Sequence, residues 1–425
     1  MNTLLFLVAV IASLRTLLKL DEGDDRTLFT PGILIILLLS FCYLLPSLVL
    51  VGGALLGDGS DITFPERISV YGICFVLAFT GAYAFLASRL PVMTAEVGGG
   101  RLLMGERRAF WGFLLVFVVI KGTLKFYGVG DSDEYSDQYL VRRTMPQSVN
   151  QMISVLVGAQ WMFIYAALAS FYNGDKTLKS FNVVFGIGAL LFIDMLFTHS
   201  RSVFVTYTFV AFAAYCLYRK PLGLWKELLL VTPFFVGMGL FSFLRVDGPV
   251  QVGWLQLLIP GEFVSIYSNA LHMVRVEGTP DFVPPPGLSY IEAFLVFLPK
   301  QIYAGKWSLS EWYVNEYFPA VAEAGGGLAF GVIPEAVVNW GVPSIIFQGA
   351  FLGLVFRFAY ASAKAARGNP RRGVVILFYL YCFSLCYQVI RSHSFALANG
   401  WFVGFLLPVL LLREIALFRR PLTQR

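Results

Sequence analysis

Two short stretches put imidazole and guanidinium groups where an apolar chain has little room for them. "FTHSRSVFV" (197–205) sets His199 and Arg201 between two apolar runs, and "RSHS" (391–394) repeats the theme near the C-terminus with Arg391 and His393. Imidazole changes charge near neutral pH, while a guanidinium stays charged and offers a planar fork of donors. At a membrane boundary such residues suit an anionic ligand or a proton transfer beside one. Asp194, about one helical turn inward from His199, is a candidate partner for Arg201 or Arg391, and pairing would remove most of the cost of burying either charge. A structural ion pair between helices explains Asp194 equally well. Lys121 and Lys125 are weaker candidates for the same anionic site.

The elements that would hold these groups follow from composition. The chain is 57% hydrophobic and 14% charged, against roughly 25% charged in a typical soluble domain. It contains 40 phenylalanines and has a mean hydropathy of +0.72. Lipid is the solvent that fits so much apolar surface. Apolar runs of spanning length occur near 2–18, 31–56, 68–89, 109–129, 151–171, 182–198, 202–218, 227–244, 342–360, 373–390 and 396–417, which predicts an all-α polytopic protein of about eleven membrane helices in one domain, 1–425. The first run lacks the basic start and small-residue cleavage site of a signal peptide. No internal repeat is visible, which argues against inverted-repeat transporters. Cys42, Cys74, Cys216, Cys382 and Cys386 all sit in apolar runs without a metal or redox spacing, as small buried hydrophobes do. The three histidines form no His/Cys cluster, so no structural metal site is expected.

Basic residues set the orientation. Arg101, Arg107 and Arg108, then Lys176 and Lys179, then Arg219, Lys220 and Lys226, then Lys364, Arg367, Arg371 and Arg372 alternate to one side, joined by Arg413, Arg419, Arg420 and Arg425. By the positive-inside rule that side is cytoplasmic, and the net charge of +6 reflects these loops rather than nucleic-acid binding. His199, His272 and His393 then all fall on the opposite face, with Arg201, Arg245, Arg275, Lys300 and Arg391. Snorkelling or a lipid phosphate is the simpler explanation of any single arginine. Five basic residues and three histidines on one face point to an anionic ligand.

The same face receives a segment of about 100 residues, 245–341, too long for a simple connection and too apolar for disorder. Within it "GEFVSIYSNALHMVRV" (261–276) reads as an amphipathic helix with Phe263, Ile266, Tyr267, Ala270, Leu271 and Val274 on one side. Glu262, Ser265, Asn269, His272 and Arg275 lie on the other, so the helix would rest on the membrane or cap a cavity with its polar face inward. "VPPPG" (283–287) is a stiff spacer. "GGGLAFGVIPEAVVNWG" (325–341) begins with glycines that suit a closely approached backbone. Pro334 suits a first helical position and Glu335 follows it, where the helix dipole favours a carboxylate and would lower its pKa.

At these residues the chain resembles the bacterial oligosaccharide repeat-unit polymerases (Wzy type, including the O-antigen polymerases). The likeness rests on the Ser200-Arg201 turn between two short helices and on one large outer segment in the C-terminal half. It rests also on "PEAVVNWGVPSIIFQGAFLG" (334–353), similar to the family's Glu…Asn-aromatic-Gly pattern before a helix. The topology likeness covers nearly the whole chain, the motifs only a small part. "RSHSFALANGWFVG" (391–404) also resembles the O-antigen ligases, although the spacing from His393 to Gly400 and Gly404 departs from their longer pattern.

The resemblance implies a GT-C-like glycosyltransferase of the bacterial inner membrane, acting at its periplasmic face without metal or cofactor. Its donor and acceptor would be undecaprenyl-diphosphate-linked oligosaccharides, and a chain-length regulator and a flippase would be its partners. Such a transfer passes through an oxocarbenium-like state and needs cations at the leaving diphosphate and a base at the acceptor hydroxyl. On that basis Arg201, Arg245, Arg275 and Arg391 would hold diphosphate, and Glu335, His393 or His199 would be the base. A ligase differing only in its acceptor, and a flippase for the same lipids, are the competing expectations.

Overall fold

The computed structural model describes residues 1–20, 27–55, 62–89, 105–129, 145–173, 178–198, 202–219, 222–229, 232, 261–279, 282, 287–295, 298, 308–323, 328–366 and 373–414. Among these residues the regular structure is helical throughout. Seven helices are long and apolar enough to cross a membrane: α1 (Asn2–Leu20), α2 (Pro31–Gly53), α3 (Thr63–Arg89), α4 (Glu106–Phe126), α5 (Ser148–Asn173), and the two later ones, Val342–Ala365 and Ser394–Leu412. Shorter apolar helices lie within α6 (Leu178–Thr198), α7 (Ser202–Tyr218) and Gly373–Ser384. The remaining expected span, 227–244, falls almost wholly outside the described residues.

The 245–341 segment contributes α8 (Gly261–Val276), α9 (Leu288–Phe294), α10 (Leu309–Tyr317) and α11 (Val332–Asn339). The chain then continues through α12 (Val342–Ala365), α13 (Gly373–Ser384), α14 (Cys386–Arg391) and α15 (Ser394–Leu412). The run expected as one helix over 373–390 is thus broken at Leu385, which ends α13 and starts α14.

Helix surfaces sort as they do in a membrane protein. α2 and α5 bury most of their side chains and form the interior, while α4 and α15 bury few. α4 turns Trp111, Leu115, Val118 and Phe126 outward, an apolar exterior suited to hydrocarbon rather than water. Inside, small residues let helices approach closely. Gly349 and Gly353, one turn apart on α12, lie against the carbonyls of Phe75 and Phe79 and beside Ala78 and Ala82 of α3. The numbers rise together, so α3 and α12 run parallel and their starts share one end of the bundle. The Met1 amino group on Glu66 (2.7 Å) and Arg67 on Glu277 (2.6 Å) bring the start of α1 and the end of α8 to that same end.

α8 is amphipathic as its periodicity predicts, and its polar side is partly covered as well: Asn269 is buried, donating to the Ala329 carbonyl (2.6 Å) and accepting from the Tyr313 hydroxyl (3.3 Å), and His272 is half-buried. Phe263, Ile266, Tyr267, Ala270, Met273 and Val274 are buried against α2, α3 and α11, leaving Ser268 and Arg275 exposed.

Candidate functional site

The site is built around α11, all eight of whose residues are buried. Its sequence, VIPEAVVN, puts Glu335 and Asn339 four apart and therefore on one helical face. Two glycines make this packing possible. Gly331 enters α11 with φ +85°, and a Cβ there would stand 2.6 Å from the Tyr43 hydroxyl and 3.1 Å from the Ile390 carbonyl. Gly341, with φ +65°, turns the chain from α11 into α12, and the first turns of α12 then carry Gln348 back to α11.

Four side chains or backbone groups from three other elements converge on the Glu335 carboxylate. Ser289 Oγ of α9 donates to Oε1 at 2.8 Å, and Gln348 Nε2 of α12 donates to Oε2 at 2.8 Å. The Ser394 N–H, the first of α15, is shared between Oε1 (2.9 Å) and Oε2 (3.0 Å), and Ser394 Oγ donates to Oε2 at 3.0 Å. Asn339 Nδ2 braces the arrangement by donating to Ser289 Oγ (2.7 Å) and to the Glu335 carbonyl (2.9 Å). Beside it the Tyr290 hydroxyl pairs with Ser344 Oγ. His393, at the cap position of α15, makes no side-chain capping bond. Glu335 supplies the cap from another helix, meeting a donor that has no partner within its own helix.

Burial pushes the Glu335 carboxyl up to about 7, against the pull of the Ser394 backbone, Ser289, Ser394 and Gln348 donors. The lowering expected from its place in the first helical turn is overridden, because withdrawal from water disfavours the ionised form more than one short helix favours it.

His393 lies one residue from the Glu335-bound Ser394, so the structure brings these two expected site residues together. The imidazole is 5% exposed, stacks with Phe395 at 6.3 Å, and its Nε2 has no hydrogen-bond partner. Burial depresses its pKa to about 4, so it is neutral at pH 7. Arg391, half-buried at the end of α14, lies over the Tyr387 ring at 6.0 Å, two residues from His393.

The other expected residues are elsewhere. Arg275 is exposed, over the Phe64 ring at 5.4 Å. His272 accepts or donates at Nδ1 with the Tyr313 hydroxyl (3.2 Å) among the rings of Tyr313, Tyr317 and Phe318. Burial, aided by Arg275, lowers its pKa. Asp194 forms an interhelical ion pair with Lys121 at 2.6 Å. His199, Arg201, Arg245 and Lys300 lie outside the described residues. Among the described residues no three His, Cys, Asp or Glu side chains gather as metal ligands would.

Ser289, Gln348 and Ser394 were not among the expected site residues, and Asn339 entered only as part of the Glu…Asn-aromatic-Gly pattern. Asn339 had a signal, its four-residue spacing from Glu335, and so did Gln348, a lone amide in the apolar start of α12. Ser289 had none.

The chemistry divides between the two ionisable groups. Glu335 accepts donors on both oxygens and has no lone pair to spare, so it positions the His393–Ser394 turn. His393 Nε2 is the uncommitted atom. Two other buried atoms are also unspent, Asn339 Oδ1 and Gln348 Oε1. Comparison of the chain with models of known protein families, with curated proteins and with solved structures gives no match.

Proposed function

We propose that the chain is a glycosyltransferase that polymerises undecaprenyl-diphosphate-linked oligosaccharide repeat units into O-antigen or a similar surface polysaccharide. In this reading it is a GT-C-like enzyme of about eleven spans in the bacterial inner membrane, with its site on the periplasmic face. The observation that carries the reading is the Glu335 clamp on the 391–394 turn, which holds a neutral imidazole two residues from a guanidinium. The family resemblance of "PEAVVNWG" and of the outer segment supports it.

The reaction would proceed with the lipid diphosphate against Arg391, joined by Arg201 and Arg245 if their loops come to it. His393 Nε2 accepts the proton of the acceptor hydroxyl as that oxygen attacks the anomeric carbon, and the diphosphate departs with the bonding pair. An anion beside His393 raises the imidazole pKa from its depressed value toward the range where a base is efficient. Glu335 keeps the turn in place throughout. His199 remains a candidate base by sequence alone, and Arg275 is better assigned to holding α8 on α3.

A second reading, the ligase, is favoured by one observation: the buried His393 sits at an outer turn, as in the ligases that "RSHSFALANGWFVG" resembles. Deleting the gene and resolving the surface glycan and its lipid-linked precursors tests both. A ladder reduced to acceptor carrying one repeat unit supports the polymerase. Loss of all capping with long lipid-linked polymer indicates the ligase, and loss of capping with single units trapped on the cytoplasmic side indicates a flippase. An unchanged profile refutes all three. His393→Ala expressed in the deletion strain should leave the ladder short, with a rate loss of roughly 10²–10⁴-fold.

A further inference from the structure

Three buried polar atoms on residues in or next to the Glu335 clamp have no partner within the protein: Asn339 Oδ1, Gln348 Oε1 and His393 Nε2. The Glu335 carbonyl, which can only accept, fixes the Asn339 amide with its nitrogen inward, and the ionised Glu335 carboxylate draws the Gln348 nitrogen in the same way. Each amide therefore keeps its acceptor oxygen unspent, and a buried acceptor without a donor is a standing cost. A phosphate brings only acceptors and negative charge, and here it would meet two amide oxygens and a carboxylate. A sugar hydroxyl brings a donor hydrogen, which is what both oxygens lack.

The rim carries a second, independent feature. Trp340, next to Asn339, is 55% exposed. Its ring is held from behind by Gly287, where a Cβ would stand 2.6 Å from it, and by Tyr290 at 5.3 Å. A fixed, exposed indole offers a flat apolar face, and a pyranose presents one face of C–H groups beside its hydroxyls. Aromatic face and acceptor oxygens on adjacent residues match that two-sided chemistry.

We infer that Trp340, Asn339 and Gln348 form a sugar-recognising subsite that reads ring hydroxyls of the lipid-linked repeat unit, separate from the arginines that hold its diphosphate. This rests on the reading of the chain as a lipid-linked-sugar transferase and adds which part of the substrate the Glu335 region touches. Both amide oxygens are buried, so the sugar's hydroxyls meet them only as the packing beside Trp340 opens.

The test measures binding of two probes to the full-length protein in nanodiscs: lipid-linked repeat unit extracted from the deletion strain, and undecaprenyl diphosphate without sugar. Wild type is compared with Gln348→Met, Asn339→Leu, Trp340→Ala and Trp340→Phe. Gln348→Met, Asn339→Leu and Trp340→Ala should each weaken the sugar-bearing lipid roughly two- to tenfold, the range of one hydrogen bond or one aromatic contact. Trp340→Ala, outside the Glu335 clamp, should hold the bare diphosphate lipid as wild type does, which also shows that it folds; Gln348→Met and Asn339→Leu, which also remove braces of the clamp, should lose clearly more of the sugar-bearing lipid than of the bare one, and Trp340→Phe should recover part of the loss. Equal weakening of both lipids, or no weakening of either, overturns the subsite while leaving the transferase reading intact. Wild-type protein that binds neither lipid overturns both.

Discussion

Replacing Glu335 with glutamine should leave this site's contribution to stability rising with pH, where in the wild type two contributions oppose each other. The Glu335 carboxyl titrates at about 7 in the fold against an ordinary 4.5, and the His393 imidazole at about 4 against 6.5. Below pH 4.5 the carboxyl is protonated in folded and unfolded chains alike. Between 4.5 and 7 only the unfolded chain releases the proton, so stability falls with rising pH, and above 7 the loss is complete. A displacement of that size corresponds to about 3 kcal/mol. His393 acts with the opposite sign: between pH 4 and 6.5 only the unfolded chain binds the proton, so stability rises with pH, again by about 3 kcal/mol. The two slopes oppose each other over nearly the same window. Denaturant titrations of detergent-solubilised protein from pH 4 to 8, followed by tryptophan fluorescence, separate them. The wild-type minus Glu335→Gln difference should fall across pH 4.5–7, and the wild-type minus His393→Asn difference should rise across pH 4–6.5. Other titrating groups, such as His272 and Glu277, are common to each pair and cancel. Differences that stay constant with pH would refute the assignment of these shifts to burial at this site.

Further expectations concern other parts of the fold. Gly353→Val should abolish folded protein in detergent, because any side chain there meets the Phe79 carbonyl, whereas Gly122→Ala, with open space around it, should melt as wild type does. A double-mutant cycle on Lys121 and Asp194 should give a coupling of about 1 kcal/mol, with the swapped pair recovering most of it; zero coupling would show that the 2.6 Å ion pair contributes nothing. Arg391→Ala should shorten the glycan ladder at normal expression, and a ladder of normal length would remove Arg391 from the diphosphate site.

Several features of the fold could be read from the chain. The apolar spacing of α8 names its buried face, and within the glycine-rich 325–341 stretch Gly331 marks a close approach and Gly341 a left-handed turn. The break at Leu385 leaves no mark in an unbroken apolar run. The chemistry was less accessible for a specific reason. The carboxylate's environment comes from Gln348, Ser289 and Ser394, which lie 13, 46 and 59 residues from Glu335. Local sequence shows only the dipole of the first helical turn, which predicts a lowered pKa. The burial that reverses it exists only once α9, α12 and α15 close over α11. The histidine–arginine turn at 391–394 was visible as a chemical oddity, but nothing in its own residues indicates that Glu335 holds it.

Reconstitution tests the central claim most directly. Purified wild-type protein in proteoliposomes, given only lipid-linked repeat units, should join them into oligomers and release one undecaprenyl diphosphate per bond formed, and His393→Ala should do so at least a hundredfold more slowly, within the roughly 10²–10⁴-fold range of a general base. Movement of the intact lipid between leaflets without any new glycosidic bond, or transfer that begins only when a different acceptor is added, would contradict it.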